Sequence, residues 1–362
     1  MSLIYQLALI RIKGVGNALA KQLLNYCGSA EEVFRTSKHQ LLQIPGIGDY
    51  LANAILHANT LHEAEQELLF VEKHKIQILF WNSSDYPEKL KDCIDAPLIL
   101  YFKGKANLTN QRIVSIVGTR NATDYGRRVC HSFVEALKDY GVLVVSGLAY
   151  GIDSCAHKAC VEHNIPTLGI LGHGLDRIYP SSNRSLALEM IKNGGLLTEY
   201  PSNTKPDRQN FPSRNRIIAG LADVTVVVEA ALKGGALITA EIANTYNRDV
   251  CAFPGSIYSE YSKGCNHLIK THRANLINSA KDLEYLMNWE PVADRVVEQS
   301  PAVNLDALEQ QVYNKVKNNS QIGIDNLLNQ TGIPQSKLAI SLLSLEMKGL
   351  IVALPGKIYR TP

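Results

Sequence analysis

The most basic stretch of the predicted central domain, residues 205–216, reads Lys-Pro-Asp-Arg-Gln-Asn-Phe-Pro-Ser-Arg-Asn-Arg. It carries four basic side chains against one acid, with an aromatic ring among them. Cations that follow a phosphate backbone and a ring that stacks on a base suit a single-stranded nucleic acid. We interpret the stretch as a binding loop; the alternative is a solvated loop with its ring turned into the core. The candidate contacts are Lys205, Arg208, Phe211, Arg214, Asn215 and Arg216.

Glycine-rich turns after short apolar runs supply a second group of candidates. Glycine lets a backbone approach a phosphate closely, and the planar guanidinium of Arg120 suits phosphate better than a lysine would. A turn at Gly234-Gly235, after an apolar run that ends at Glu229, opens a predicted helix and predicts an anion site. The candidates in these turns are Gly118, Thr119, Arg120, Gly147, Gly234 and Gly235.

Two further arrangements have residue types that catalysis or metal binding would need. Asp153 and His157 have the spacing of two metal ligands on a helix, but no third ligand is evident, and an Asp at a helix start is expected as a cap. His173 has no nucleophile or acid placed beside it by the sequence. Without a Ser/His/Asp set, a carboxylate pair or a metal cluster, the sequence predicts a binding protein with no metal and no cofactor rather than an enzyme.

The apolar runs before these turns predict strands that are buried on both faces, and hence a parallel sheet. These runs are Ile113–Val117, Val142–Val145, Thr167–Leu171, Thr225–Val228 and Val250–Phe253. Helix-length segments separate them: Tyr125–Tyr140, Ile152–His163, Ser182–Asn193 and Gly235–Asn247. The alternation predicts an α/β fold with a doubly wound, mostly parallel, Rossmann-like sheet. Such a sheet binds its ligand at the carboxyl ends of the strands, where the turns lie.

Residues 1–72 are predicted to form a helical domain with two similar turns, Ile12–Asn17 and Ile44–Asp49. In each turn an apolar residue precedes Gly-apolar-Gly and a helix, a pattern similar to the helix-hairpin-helix repeat of SAM-like domains. Such turns expose backbone N–H groups that can hold a phosphate. The nearby acids Glu31, Glu32 and Asp49 leave open a protein-binding module of the same shape.

Three further segments follow: a central domain at residues 73–288, a linker at 289–304 and a third unit at 305–362. The central domain should begin with strands at Ile76–Phe80 and Leu98–Phe102. The third unit fits three helices and a hairpin, the pattern of a winged helix. Its third helix has only Lys337 and Lys348 as cations, so a protein suits it at least as well as duplex DNA.

Bulk properties set limits on the class of protein. A length of 362 residues allows two or three domains, and a net charge of +3 is too small to indicate nucleic acid by itself. The absence of a long apolar run predicts no membrane span, and the first residues do not resemble a signal peptide. Seven cysteines without a C-x-x-C pair favour reduced thiols in a cytoplasmic protein.

The central motifs resemble those of the DNA-processing protein DprA (Smf) family. The matching strings are Val117–Arg120, Ser146–Asp153 with Ala156-His157, Gly174–Asp176 with Tyr179-Pro180, Phe211–Gly220, and Pro254-Gly255 with Gly264–Asn266. The resemblance implies a non-enzymatic protein that binds single-stranded DNA and protects incoming strands during natural transformation. It also implies that the protein loads the RecA recombinase past single-strand binding protein, and that it forms a homodimer through its Rossmann domain.

The resemblance assigns roles to particular residues. Arg120 matches the arginine that grips the DNA backbone, Arg208 matches a basic residue of the DNA pocket, and Phe211 matches a ring inserted by the bases. Leu268 and Ile269 match the dimer-forming region. The sequence departs from the family pattern at Thr119, where serine is commoner, at His173, at the turn Gly234–Ala236 and at Arg273.

An enzyme remains the alternative. Phosphoribohydrolases of the lysine-decarboxylase-like type also open a helix with a Gly-Gly turn after a strand that ends in glutamate. Here Glu229 precedes Gly234-Gly235 and Glu241 follows on the predicted helix. Such an enzyme would release a base from a nucleoside monophosphate.

Overall fold

A computed structural model describes residues 3–109, 112–292, 305–317, 319, 322–348, 350–354 and 356–360. The chain divides into two compact units, Met1–Val292 and Ala293–Pro362. Residues 293–304 of the predicted linker lie outside the described residues. The predicted domain boundaries at residues 72 and 288 stay predictions.

The N-terminal part of the first unit is helical, as predicted. Its helices are α1 (Leu3–Leu9), α2 (Asn17–Cys27), α3 (Ala30–Arg35), α4 (Lys38–Leu41), α5 (Asp49–Leu56) and α6 (Leu61–Lys73). The two glycine turns stand directly before α2 and α5. Gly14 and Gly46 have φ angles of +88° and +84°, a left-handed backbone that other residues rarely adopt, which explains the glycines.

One nine-stranded sheet is present in the described part of the first unit. Its strands are β1 (Gln77–Phe80), β2 (Ile99–Gly104), β3 (Arg112–Val117), β4 (Val142–Ser146), β5 (Thr167–Ile170), β6 (Gly195–Thr198), β7 (Val224–Val227), β8 (Asp249–Ala252) and β9 (Asn275–Leu276). Their order is β1-β2-β6-β5-β4-β3-β7-β8-β9. β2 runs antiparallel to both neighbours, and every other pairing is parallel. The mostly parallel sheet is confirmed.

Helices cover both faces of this sheet: α7 (Glu88–Lys91), α8 (Asp124–Ala136), α9 (Ile152–Glu162), α10 (Arg184–Asn193), α11 (Asn210–Leu221), α12 (Gly235–Thr245), α13 (Lys263–Lys270) and α14 (Asp282–Met287). Alternate residues of each strand point to opposite faces. Ile113 and Val117 of β3 share a core with α11 and α12, whereas Val114 and Ile116 pack with α8 and α9. Strands buried on both faces explain the continuous apolar runs in the sequence.

The direction of winding reverses at β3. This strand pairs with β4 on one side and with β7 on the other. Loops that follow β3 and β7 therefore diverge and leave a crevice at the carboxyl ends of the strands, where such sheets bind ligands. The Thr119 N–H donates to the carbonyl oxygen of Glu229 at 2.7 Å and joins the two loops at the base of the crevice.

The second unit has the predicted winged-helix form. Its elements are α15 (Ala307–Lys317), β10 (Ile322–Gly323), α16 (Ile324–Thr331), α17 (Gln335–Met347), β11 (Val352–Leu354) and β12 (Ile358–Arg360). The strands form a small antiparallel sheet, and the buried faces of the three helices share one core with it.

The basic stretch is not entirely a loop, which corrects the prediction. Residues from Asn210 onward belong to α11, so Phe211, Arg214 and Arg216 are helical. Pro212 is compatible with this position because the first N–H groups of a helix have no partner within it. The short strand β6, which contains Gly195, was also missed by the sequence analysis.

No helix among the described residues is long and apolar enough to span a membrane.

Candidate nucleic-acid interface

Exposed cations and aromatic rings gather on the loops at the carboxyl edge of the sheet. Arg120 follows β3, and Lys205 and Arg208 follow β6; all three side chains are exposed. Tyr179 follows β5 and is 49% exposed, and Tyr150 follows β4 and is 52% exposed. The strands β3, β4, β5 and β6 all run parallel to one another. The loops that follow them therefore share one edge of the sheet.

The Phe211 ring lies at the centre of this edge and is half-buried. Its centroid lies 5.7 Å from Cζ of Arg120 and 5.9 Å from the centroid of the Tyr179 ring. One side of the ring rests on the loop after β5, where a Cβ on Gly172 would lie 3.2 Å from its Cδ1. A guanidinium at this distance from an aromatic ring is a cation–π partner. A rigid ring flanked by a cation and a second ring is an arrangement suited to stacking on a base.

Tyr179 and Tyr150 were not among the predicted contacts. Tyr179 occurs in one of the motifs that carry the family resemblance, but nothing in the local pattern places its ring beside Phe211, about 30 residues away in the chain. Only the location of Tyr179 and Phe211 in segments that follow strands of one parallel sheet could have indicated that they meet. The edge therefore has more aromatic surface than the basic stretch alone suggested.

Arg214 is buried below this edge, which revises its predicted role as a DNA contact. The residue is 4% exposed, and its Nη1 donates to the carbonyl oxygens of Gly147, at 2.7 Å, and of Ile170. Burial lowers the pKa of Arg214 to about 10, with the neighbouring Asp153 carboxylate opposing the shift, so the side chain is cationic at neutral pH. Arg214 ties the loops after β4 and β5 to α11 and acts as a positioning residue.

Gly147 is also buried, and both of its backbone polar groups have partners inside the protein. Its N–H donates to Oδ2 of Asp153 at 3.2 Å and its carbonyl oxygen accepts from Arg214. A Cβ at this position would lie 2.6 Å from both side chains, so glycine is required by packing. Gly147 is therefore a packing residue, and its prediction as a DNA contact is corrected.

Asp153 braces this loop instead of capping its own helix. In addition to the Gly147 N–H it accepts the N–H of Ala149 at 3.4 Å, and the N-cap of α9 is Gly151. Burial raises the pKa of the Asp153 carboxyl, and the charge of Arg214 opposes this shift. The buried Asp153 and Arg214 side chains hold the backbone beneath the exposed cations and rings, which we call the floor of the site.

Arg216 is held by partners within the protein, so its predicted DNA contact is revised too. Its Nη2 donates to the carboxylate of Glu199, its Nη1 donates to the carbonyl oxygen of Asp95 at 2.7 Å, and its side chain is 13% exposed. Asn215, by contrast, is half-buried and donates to the carbonyl oxygen of Gly235 at 3.4 Å. It joins α11 to the first residue of α12.

The two predicted glycine sites differ in how open they are. A Cβ on Gly118 would lie 2.5 Å from Cγ1 of Ile152, so this glycine allows the loop after β3 to pack on α9. Gly234 and Gly235 are exposed, and a Cβ on either would meet no atom closer than 4.0 Å. Gly234 is the N-cap of α12 and has no side chain, so the first N–H groups of that helix receive no side-chain cap from it.

Leu268 is not a surface residue, which corrects the predicted dimer contact. It is 1% exposed and belongs to the core beneath α12 and α13, while Ile269 is half-buried and packs against the same core. The exposed apolar side chains nearby are Leu232, at 53%, and Ile238, at 46%. The sequence pattern of α13 alone could not show which of its apolar residues faces inward.

The histidines considered for metal binding or catalysis have structural partners. Nδ1 of His157 lies 2.7 Å from Oγ1 of Thr167, and burial lowers the pKa of His157 to about 3. The Tyr179 N–H donates to Nε2 of His173 at 3.3 Å, so Nδ1 must carry the proton that is donated to the carbonyl oxygen of Gly174. Burial lowers the pKa of His173 as well. His173 therefore positions Tyr179 and is not placed as a catalytic base.

Both glutamates of the enzyme alternative are engaged. Glu229 is buried and accepts the N–H of Thr123 at 2.9 Å and its hydroxyl at 2.6 Å. Glu241 pairs with Arg273 at 2.5 Å. Neither carboxylate faces the Gly234-Gly235 turn as a free group.

These features define a class of protein: a Rossmann-like α/β protein with a helical domain before the sheet and a winged helix after it. A family model described as DNA recombination-mediator protein A matches residues 77–288. Models of the SAM-like helix-hairpin-helix tandem and of the DprA winged helix domain match residues 7–58 and 297–357. The chain belongs to the DprA (Smf) family, as the resemblance predicted.

Relatives match over most of the chain. Protein Smf of Synechocystis is 33% identical over 98% of both chains, and Protein Smf of Escherichia coli is 34% identical over 83% of this chain and 84% of its own. The structure of DNA processing protein A from Streptococcus pneumoniae covers 79% of this chain and 98% of its own, with a TM-score of 0.69 and 31% identity. DNA processing protein A from Helicobacter pylori, described as binding single-stranded DNA, has a TM-score of 0.54 and 27% identity, over 60% of this chain and 98% of its own.

Proposed function

We propose that this protein binds single-stranded DNA along the carboxyl edge of its sheet. The observation that carries the proposal is the arrangement of Arg120, Tyr179 and Phe211, with Lys205 and Arg208 on the neighbouring loop. The exposed cations would follow phosphates whatever the sequence, and the rings would stack on bases. The open start of α12 at Gly234 and Gly235 adds backbone N–H groups that suit a further phosphate.

The revised set of proposed contacts excludes the buried residues. Gly118 and Thr119 shape the loop that carries Arg120, since the Thr119 hydroxyl accepts the N–H of Asn121 at 3.1 Å. Arg214 and Gly147 hold the floor of the site. Asn215 is at the margin, beside the start of α12.

We further infer that the protein protects incoming strands and loads RecA on them past single-strand binding protein during natural transformation and recombination. Membership of the family supports this role. The proposed site would contact phosphates and the faces of bases rather than base edges, so it would not depend on sequence, and incoming DNA has no fixed sequence. The role requires no catalysis. The engagement of Glu229 and Glu241 supports a non-enzymatic protein over a phosphoribohydrolase.

A homodimer is part of the same proposal, with its surface moved from Leu268 to the exposed face of α12. Leu232 and Ile238 are exposed apolar residues on either side of the start of that helix, and Ile269 lies half-buried nearby. A patch of this kind is self-complementary across a two-fold axis.

The winged helix is proposed as a protein-binding unit rather than a reader of duplex DNA. Nζ of Lys348, just after α17, donates to the carboxylate of Glu309 at 2.7 Å. Among the described residues of α17 and this position, Lys337 is then the remaining cation without an ion pair. That helix exposes apolar side chains instead, with Ile340, Leu343 and Met347 at 69%, 59% and 83%. A duplex reader presents positive charge to the phosphates.

The function is tested by fluorescence anisotropy with labelled single-stranded DNA, duplex DNA and RNA at two salt concentrations. We expect the tightest binding to single-stranded DNA, weakened by salt. A strand-exchange reaction on DNA already covered by single-strand binding protein then tests RecA loading, and the protein should shorten the lag. Release of free base from nucleoside monophosphates, without DNA binding, would support the enzyme instead.

A further inference from the structure

A second cluster of chemically active side chains lies on α8 and α9, away from the DNA-binding edge. His131 and Glu135 are one turn apart on α8, and His163 is the C-cap residue of α9. One potential ligand atom from each of the three residues lies within 4.8 Å of the other two. The sequence predicted no metal site here because the cluster joins residues from two helices, and no local spacing brings His163 next to His131 and Glu135.

The surroundings of the cluster resemble those of ligating histidines. A second carboxylate, Glu162, lies 3.2 Å from Nε2 of His131. Carboxylates in this position accept the free ring N–H of a ligating histidine and orient it. The two imidazole rings meet edge to face, with their centroids 5.1 Å apart. Nε2 of His163 is shielded from solvent and has no hydrogen-bond partner among the described residues.

We propose that His131, Glu135 and His163 bind a divalent transition-metal ion, with zinc the best match, and that Glu162 orients His131. Two imidazole nitrogens with a carboxylate are ligands that zinc favours, whereas magnesium and calcium prefer oxygen alone. Ligand atoms about 2.0–2.2 Å from a tetrahedral zinc ion lie roughly 3.3 Å apart. The ligand atoms must therefore move closer by up to about 1.5 Å, which rotation of the exposed Glu135 and half-exposed His131 allows.

The position of the cluster separates it from DNA binding. Helices that return between parallel strands run opposite to them, so the C-terminal ends of α8 and α9 lie at the amino-end edge of the sheet. His131 is seven residues after Asp124, the first residue of α8, which places it about 10 Å along the helix at 1.5 Å per residue. A bound ion would clamp the two helices that cover this face of the sheet.

The test is a zinc titration of the full-length, tag-free chain after treatment with a chelator. We expect zinc chloride at micromolar concentration to bind with a stoichiometry of one and to raise the melting temperature, while magnesium chloride does neither. His163→Ala and Glu135→Gln should each weaken zinc affinity at least about tenfold, and Glu162→Gln should weaken it by about 10–100-fold, the range for an orienting partner. Melting temperatures without metal should change little, since Glu135 and Glu162 are exposed and His163 is half-buried with no hydrogen bond to lose at Nε2.

His62→Ala is the matched control. Nδ1 of His62 lies 3.8 Å from the carboxylate of Glu65 on the surface. Neither residue belongs to the cluster of potential metal ligands found among the described residues. Its removal should leave zinc affinity unchanged. Absence of zinc binding at micromolar concentration would overturn the proposal. Binding that is equal in the parent chain and in His163→Ala would also overturn it, by assigning the ion to other residues, such as the thiols.

Discussion

At the scale of single residues, Phe211 is the contact whose role can be separated most cleanly from folding. Its ring is half-buried between Arg120 and Tyr179. We expect Phe211→Ala to weaken single-stranded DNA binding by roughly 1–3 kcal/mol, the range for one base stacked on an aromatic ring. Phe211→Trp should keep most of the affinity. Anisotropy titrations measure the binding, and thermal unfolding measures the effect on stability, which should be small.

Tyr285→Ala provides the control for this change. Tyr285 is 91% exposed on α14, away from the carboxyl-edge loops, so its loss should affect neither binding nor stability. A large drop in the melting temperature of Phe211→Ala, with full DNA affinity in the folded fraction, would place the ring in the core instead.

Arg214 and Arg208 should respond in opposite ways. Arg214→Ala leaves the buried Asp153 without its cation, and removal of one member of a buried pair typically costs about 3–5 kcal/mol of stability. Arg208 is exposed and absent from the buried network, so Arg208→Ala should weaken DNA binding and leave the melting temperature unchanged. Denaturant unfolding and anisotropy on the two variants separate these effects. Weak DNA binding by a fully stable Arg214→Ala variant would restore Arg214 as a contact.

His157 should make stability fall in mild acid. Its folded-state pKa is about 3, against about 6.5 for an exposed histidine, because burial disfavours the charged ring. The unfolded chain therefore binds the extra proton, and the stability that the neutral ring contributes is full above pH 6.5 and declines as pH falls towards 3. The slope contributed by one such group is at most about 1.4 kcal/mol per pH unit.

Urea unfolding of the parent chain and of His157→Gln between pH 7 and 5 tests this point. The amide of glutamine cannot titrate, so the variant should lose less stability over this interval, while the carboxylates contribute equally to both chains. Identical slopes would show that His157 does not titrate on unfolding in this range.

At the scale of elements, most strands of the sheet were predictable, whereas β6 and the buried residues beneath the DNA-binding edge were not. Val114 and Ile116 on one face of β3, and Ile113 and Val117 on the other, produce a continuous apolar run that only a doubly covered sheet explains. The start of α11 was obscured because Pro212 and the polar residues around it are equally common in loops. The burial of Arg214 depends on carbonyl oxygens of Gly147, just after β4, and of Ile170, the last residue of β5, which no local pattern reveals.

The exposed face of α12 carries the prediction for assembly. Ile238 is 46% exposed, so Ile238→Arg adds charge to the proposed dimer surface without disturbing the core. Light scattering should then show the mass of a monomer, with DNA binding weakened but retained. Leu268→Arg should instead unfold the domain, because that side chain is 1% exposed. A dimer that survives Ile238→Arg would exclude this face.

At the scale of the whole molecule, side-chain contacts from two of its helices hold the helical domain against the sheet and its loops within the first unit. Oδ1 of Asn17, at the start of α2, accepts the N–H of Leu98 at 3.0 Å. Glu67 of α6 is buried, pairs with Arg11 at 3.2 Å and accepts the N–H of Ser202 at 2.9 Å. The start of α2, directly after the first glycine turn, is therefore docked on the sheet. We infer that this turn has a structural role and does not bind phosphate.

The second glycine turn is more open but carries an acid. Asp49 is the first residue of α5 and pairs with Lys38 at 2.8 Å. A carboxylate at a helix start occupies the place that favours an anion and would repel a phosphate. The sequence raised both interpretations of these turns, and the packing of the first unit favours a structural or protein-binding role over DNA contact.

The central claim is that exposed cations at the carboxyl edge of the sheet hold single-stranded DNA through its phosphates. The most direct measurement is the slope of log affinity against log salt concentration, compared between the parent chain and Arg120→Ala. Lys192→Ala is the control, because it removes an exposed cation at the C-terminal end of α10. The claim predicts weaker binding by Arg120→Ala and a slope that is flatter by about 0.7, the value for one phosphate contact on a single strand. Lys192→Ala should match the parent chain. An Arg120→Ala variant with unchanged affinity and slope would contradict the claim.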